Sequence, residues 1–156
     1  MMRVLAIATG LLAAGSAYAQ APLPAEPVLC DPRTSQYDAV TAAPHQHNVL
    51  FEDEHVRVLE IFLLPRTQEP IHVHALPSVI EGETGGEGGA KFVYISYRFE
   101  NGRFIETGRN EISPTPGYRA VWTGPEGPHS IANVGDVPVT FKRIEIKPEA
   151  CAKMKK

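Results

Sequence analysis

Lys91-Phe92-Val93-Tyr94-Ile95-Ser96-Tyr97-Arg98-Phe99-Glu100-Asn101-Gly102-Arg103-Phe104-Ile105-Glu106-Thr107 is the stretch that decides the architecture. Residues 91–100 alternate with period two, which places Val93, Ile95, Tyr97 and Phe99 on one face of a strand. A second run follows across Asn101-Gly102. A tight type I′ turn needs positive φ at both central residues, and Asn-Gly tolerates it, so the two runs read as a β-hairpin.

Working outward, residues 57–63 are again rich in strand-favouring side chains, with Leu59, Ile61 and Leu63 on one face. Residues 119–123, 129–133 and 137–146 complete the set of strands. In the last of these Val137, Val139 and Phe141 share one parity and Ile144 and Ile146 the other, so a β-bulge is expected near Lys142-Arg143. No stretch carries a helical period of useful length. Short strands separated by Gly and Pro turns, without helices between them, predict an all-β antiparallel sandwich or barrel. Trp122, Tyr118, Phe92, Tyr94 and Tyr97 are expected in its core. Gly82 to Gly89, with five glycines, reads as a loop at its mouth or edge.

The N-terminus has the layout of a secretory signal. Met1-Met2-Arg3 is followed by an apolar run and by Ala17-Tyr18-Ala19, an A-x-A pattern. The apolar run falls short of the roughly 20 residues that span a bilayer. The expected organisation is a signal peptide at 1–19, an irregular lead-in at 20–47, a barrel at 48–147 and a C-terminal tail at 148–156. Cleavage removes Arg3 and moves the formal net charge from −3 to −4, with no membrane span left. Such a charge gives no reason to expect nucleic acid or an anionic membrane as partner. The expected location is the periplasm or the exterior. There, an even cysteine count reads as a disulfide, so Cys30 and Cys151 are expected to pair and tie the two ends of the domain together.

The chemistry concentrates on histidine. Ile71-His72-Val73-His74 puts two imidazoles at i and i+2 of a strand, on the same face, where both can reach one ion. His129, in Gly127-Pro128-His129-Ser130-Ile131-Ala132-Asn133, supplies a third at the head of another strand. Neutral imidazole is a favoured ligand of Zn, Fe, Cu and Ni, and three histidines leave a position open for chemistry. His45-Gln46-His47 is a second such pair and reads as surface, with exposed metal capture or a place in the barrel site as the alternative, and His55 reads as a turn residue between strands. No Gly-x-Ser-x-Gly, no Cys beside a His and no suitably spaced carboxylate pair supports hydrolytic nucleophile chemistry.

The HxH of His72 and His74, the H-x3-N of His129 and Asn133, and the closing Asn133-Val134-Gly135-Asp136 turn resemble the two-part signature of the cupin family, over residues 48–147. That resemblance implies a double-stranded β-helix, or jelly-roll barrel, with a metal held inside by His72, His74 and His129 and one end open to a small molecule. The metal would be a divalent transition ion: Fe, Mn, Zn, Ni or Cu. The sequence departs from the signature at three places. Arg66 stands where the first motif has glycine, Pro128 alone separates Gly127 from His129 where the second has two residues, and Ser78 and Val79 stand where a glutamate ligand is expected. Glu81 is the candidate fourth ligand.

The resemblance implies three functions for such a barrel. One is a metal-dependent oxidoreductase, isomerase or decarboxylase acting on a small organic molecule. The others are a metal or small-ligand binding module without turnover, and a dimerising interaction barrel, since cupins commonly form homodimers. Mature protein recovered from the periplasm is expected to begin at Gln20, which N-terminal sequencing or intact mass checks; a retained Met1 would refute the export reading.

Overall fold

The computed structural model describes residues 29–84, 90–112 and 117–154. The signal segment and the glycine-rich residues 85–89 lie outside them. Ten strands form two antiparallel sheets: β1 (His47–Glu52), β2 (Val56–Leu63), β3 (Thr67–Gln68), β4 (His72–His74), β5 (Ser78–Thr84), β6 (Phe92–Glu100), β7 (Arg103–Ile112), β8 (Gly117–Thr123), β9 (Glu126–Asn133) and β10 (Val139–Ile146). One sheet has the order β1-β2-β10-β5-β8 and the other β3-β9-β6-β7, with β4 also paired to β9. Apart from the β6–β7 hairpin and the β1–β2 pair, strands distant in sequence lie side by side, which is the double-stranded β-helix of a cupin-type jelly roll.

The hairpin forms as its sequence requires. Asn101 and Gly102 sit at φ 51° and 79°, and β6 and β7 run antiparallel on either side. His55 lies in the turn between β1 and β2, where the Asp53 carboxylate accepts the amides of His55 and Val56 at 2.7 and 2.8 Å. Arg66, at the first motif's glycine position, adopts φ 58°. The backbone therefore keeps the left-handed conformation that favours glycine. Its guanidinium reaches Asp136 in the closing turn, at 2.6 and 3.0 Å.

Between the sheets lies an apolar core of Leu59, Ile61, Leu63 and Phe92, with Val40, Ile131, Val139 and Phe141 packed against it. The three β2 residues share a face, as their spacing predicts. In β6 both parities contribute to the interior. Ile95 is fully buried, and Phe92 and Tyr94, of the opposite parity and expected inside, line the interior cavity. Phe99 packs outside with Tyr37 and Phe104, at ring-centroid distances of 5.9 and 5.0 Å, and Trp122 is 63% exposed.

The bulge expected at Lys142-Arg143 is absent. β10 pairs with β2 in one unbroken register, from Val139↔Leu63 to Ile146↔Val56. The parity of Phe141 continues inward through Arg143 and Glu145, both buried, while Ile144 and Ile146 take the other face. Arg143 and Glu145 can sit inside because each is held by charged partners; Arg57 binds Glu145 at 2.6 Å, and Arg143 binds Glu126 at 2.5 Å.

The lead-in is built into the body. After a 3₁₀ turn at Pro32–Thr34 comes a short helix, α1 (Ala39–Ala42), capped by the Asp38 carboxylate on the Val40 amide at 3.2 Å. Ala39 and Ala43 are fully buried, and Val73 donates to the Tyr37 carbonyl at 2.8 Å. A C-terminal helix, α2 (Glu149–Lys153), carries Cys151 to Cys30, with 5.4 Å between their Cα atoms. The expected disulfide is therefore present. No helix among the described residues is long and apolar enough to cross a membrane.

Closing a loop of 121 residues restricts the unfolded chain strongly. A Cys30→Ala/Cys151→Ala variant is expected to lose roughly 3–5 kcal/mol, read as a lower urea midpoint with a folded baseline at low denaturant. An unchanged midpoint would refute the tie.

Candidate metal centre

Strand β4 is only three residues long, yet it buries both its ends. His72 and His74 are 1% and 2% exposed, and Val73 between them faces the lead-in. β9 lies alongside, with His129 directly opposite His72 and their ring centroids 4.4 Å apart. The register then slips so that His74 faces Glu126. Pro128, which has no amide hydrogen to give the ladder, stands at the slip. The three predicted histidines thus meet, with His74 5.0 Å from His72 and 5.6 Å from His129 by ring centroid.

A fourth joins them. His47, the first residue of β1, is 2% exposed, with its ring 4.5 Å from that of His72 and 5.3 Å from that of His74. The surface reading of His45-Gln46-His47 is therefore corrected for His47 and holds for His45, which is exposed. The sequence places this pair before the barrel with no partner nearby. Only the packing of β1 against β2 carries His47 inside.

Each imidazole is tied at Nδ1. The partners are the carbonyls of Pro70 for His72 (2.9 Å), Gly127 for His129 (2.8 Å) and Ala43 for His47 (3.3 Å), and the Glu145 carboxylate for His74 (2.7 Å). A carbonyl can only accept, so Nδ1 carries the hydrogen and Nε2 keeps its lone pair. Burial holds all four rings neutral, with His47 and His72 lowered to about 3, His129 to about 4, and His74 well below its ordinary value. Histidines that bind metals are commonly oriented in this way.

Glu69 completes the cluster, and sequence reasoning missed it. It is 3% exposed, with its carboxylate oxygens 3.9 Å from His72 Nε2 and 4.0 Å from His47 Nε2. Oε1 accepts the Ile131 amide at 2.9 Å. Burial pushes its carboxyl up to about 8, so it carries a proton near neutrality. Two overlapping groups have ligand atoms within 4.8 Å of one another: His47, His72 and His74, and Glu69, His72 and His129. Within them, Glu69 Oε2 and His72 Nε2 are buried without a hydrogen-bond partner among the described residues. Buried polar atoms are rarely left so, and the neutral imidazole nitrogens suit a cation.

Glu81 belongs to neither group. Its neighbours in β5, Ile80 and Gly82, line the interior, so Glu81 has the opposite parity, and its carboxylate lies 3.8 Å from Lys142. Ser78, at the position of the missing glutamate, accepts a hydrogen bond from Arg143 Nε at 3.0 Å. Asn133 has a structural place in its turn, donating to the Leu63 and Val137 carbonyls and accepting the Gly135 amide.

The histidines border a cavity of about 480 Å³, otherwise walled largely by apolar side chains such as Ile61, Ile80, Phe92 and Ile131. Tyr94 stacks on His129 at 4.9 Å and directs its hydroxyl toward Glu126 at 3.4 Å.

No protein-family model matches the chain, and no curated protein matches it. Among solved structures it is similar to a cupin domain from Bordetella pertussis, at 22% identity and TM-score 0.48 over 65% of this chain and 92% of that one. It is also similar to a Cupin 2 conserved barrel domain protein from Salinispora arenicola, at 15% identity and TM-score 0.41 over 69% and 79%. A third is a predicted oxalate decarboxylase from Thermotoga maritima, at 18% identity and TM-score 0.39 over 65% and 79%. At these TM-scores the fold assignment rests on the strand order and register described above.

The buried groups set the acid stability of the metal-free protein. As pH falls below 6.5, the four histidines take up protons in the unfolded chain but not in the folded one. Glu69 and Glu145, raised by burial, act in the opposite sense but are outnumbered. The unfolded state then binds more protons, so stability must fall with pH. Chelator-treated protein is expected to show a lower urea midpoint at pH 5 than at pH 7; an equal or higher one would contradict the buried neutral cluster.

Proposed function

We propose that this chain is an exported cupin that holds one divalent transition metal through His47, His72, His74 and His129, and acts with it on a small organic molecule in the adjoining cavity. One observation carries the reading: four buried, neutral imidazoles are each hydrogen-bonded at Nδ1, and His47, His72 and His74 bring ligand atoms within 4.8 Å of one another, with His129 grouped beside His72. Fe, Mn, Zn, Ni or Cu suits such a nitrogen-rich set. When bound, the metal supplies Lewis-acid or redox chemistry of the kind used in dioxygenation, isomerisation or decarboxylation.

The chain's own residues supply the rest. Glu69, its carboxyl raised by burial and its Oε2 without a hydrogen-bond partner among the described residues, is the group placed to exchange a proton with a bound molecule. The Glu145 carboxylate orients His74, and Arg57 holds Glu145 in turn. Apolar walls adjoin the cluster. They favour turnover or small-molecule binding over simple sequestration, since a metal store has no need of a cavity beside its ligands.

Elemental analysis of mature protein from the periplasm is expected to find close to one transition metal per chain. His72→Ala/His129→Ala should carry none, and Glu69→Gln should keep its metal. Wild-type protein that comes out empty, and that no added Fe, Mn, Zn, Ni or Cu stabilises against heat, would rule the metal reading out. Loss of metal from Glu69→Gln would instead make Glu69 a ligand.

A further inference from the structure

Arg143 lies in the middle of β10, 3% exposed, and lines the same cavity as the histidines. Two of its three guanidinium nitrogens are engaged: Nε donates to Ser78 Oγ at 3.0 Å and Nη1 to Glu126 Oε2 at 2.5 Å. Nη2 is buried and has no hydrogen-bond partner among the described residues. A guanidinium donor left unmade inside a protein forfeits a charge-assisted bond, which is costly unless something arrives to accept it.

The surroundings specify what could arrive. Both oxygens of Glu126 already receive donors, Oε2 from Arg143 and Oε1 from the Tyr94 hydroxyl, so its charge is engaged. The lining is otherwise largely apolar, with Ile61, Ile80, Phe92, Ile112, Ile131 and Phe141, and it also includes Arg119. A volume of about 480 Å³ is within the ordinary range for small-ligand sites and exceeds the roughly 150 Å³ in which benzene can be held.

We infer that the cavity takes a small monocarboxylate with an apolar body of about one aromatic ring and its side chain, the carboxylate accepting from Arg143 Nη2 and the body lying against the isoleucine and phenylalanine wall. This deepens the proposed function and rests on it for the chemistry performed, while recognition of the acid belongs to Arg143. A carboxylate there completes the guanidinium's hydrogen bonding, and an uncharged analogue of the same shape completes it more weakly.

The test compares 3-phenylpropanoate with its primary amide by titration calorimetry, on mature wild-type protein kept metal-free with chelator. The acid is expected to bind at least tenfold more tightly than the amide, and Arg143→Gln should reduce that ratio below twofold. Equal binding of the two, or no binding of the acid to wild-type protein, overturns the inference. A preference for the acid that appears only after Mn²⁺ or Zn²⁺ is added, and that survives Arg143→Gln, also overturns it while leaving the metal centre standing. A preference in a protein that takes up no metal upholds Arg143 and removes the metal reading instead. Should Arg143→Gln fail to fold, a crystal structure of wild-type protein with 3-phenylpropanoate decides. The carboxylate within hydrogen-bond distance of Nη2 supports the inference, and the carboxylate elsewhere refutes it.

Discussion

The ion pairs of Arg57 tie together three parts of the molecule. The side chain is fully buried, and it binds Asp38 at 2.7 and 3.0 Å and Glu145 at 2.6 Å. Asp38 caps α1 and so belongs to the lead-in; Glu145 belongs to β10 and holds His74. Burial opposes the guanidinium's charge, but its two carboxylates more than offset this and raise its pKa above the ordinary value. Taking one member away from such a group leaves an uncompensated charge, at a cost of about 3–5 kcal/mol. The lead-in, the central strand pair and the orientation of one imidazole therefore stand or fall together.

This arrangement explains how an interior so polar can be stable. Arg57 and Arg143 meet Asp38, Glu145 and Glu126, and each short contact is charge-assisted. The histidines answer burial differently, by staying neutral. The fully buried side-chain atoms without a hydrogen-bond partner among the described residues are Glu69 Oε2, His72 Nε2 and Arg143 Nη2, and all three belong to residues that line one cavity. Unpaired buried groups collected where a ligand could enter are what a binding site needs and what a packed core avoids. The fold thus separates its polar interior into a paired part that orients side chains and an unpaired part that is free to act.

Local signals were legible where a residue's own chemistry dictates its conformation. Asn101-Gly102 demands positive φ, Leu59, Ile61 and Leu63 share a face because a strand has period two, and His72 and His74 share one for the same reason. The cysteine pair was legible from its count. The family resemblance carried the approach of His129 to the first two histidines, and the strand order bears out the barrel that it implied.

Where periodicity was read as hydrophobicity alone, it misled. In β10 the inward parity passes from Val139 and Phe141 to Arg143 and Glu145, and the outward Ile144 and Ile146 mimic a slipped register. A strand's side chains alternate whatever they are, and nothing local reveals that a charge has a buried partner tens of residues away. His47 and Glu69 were hidden for the same reason, since each reaches the cluster through strand pairings that span the chain. By itself the sequence determined the strand character, the tight turn, the pairing of the cysteines and the shared face of His72 and His74, because those depend on neighbours within a few residues. Only the tertiary structure decided which charged residues lie inside, that His47 and Glu69 lie against His72 and that Arg143 keeps an unpaired Nη2 among the described residues, because burial and pairing are properties of the assembled sheets.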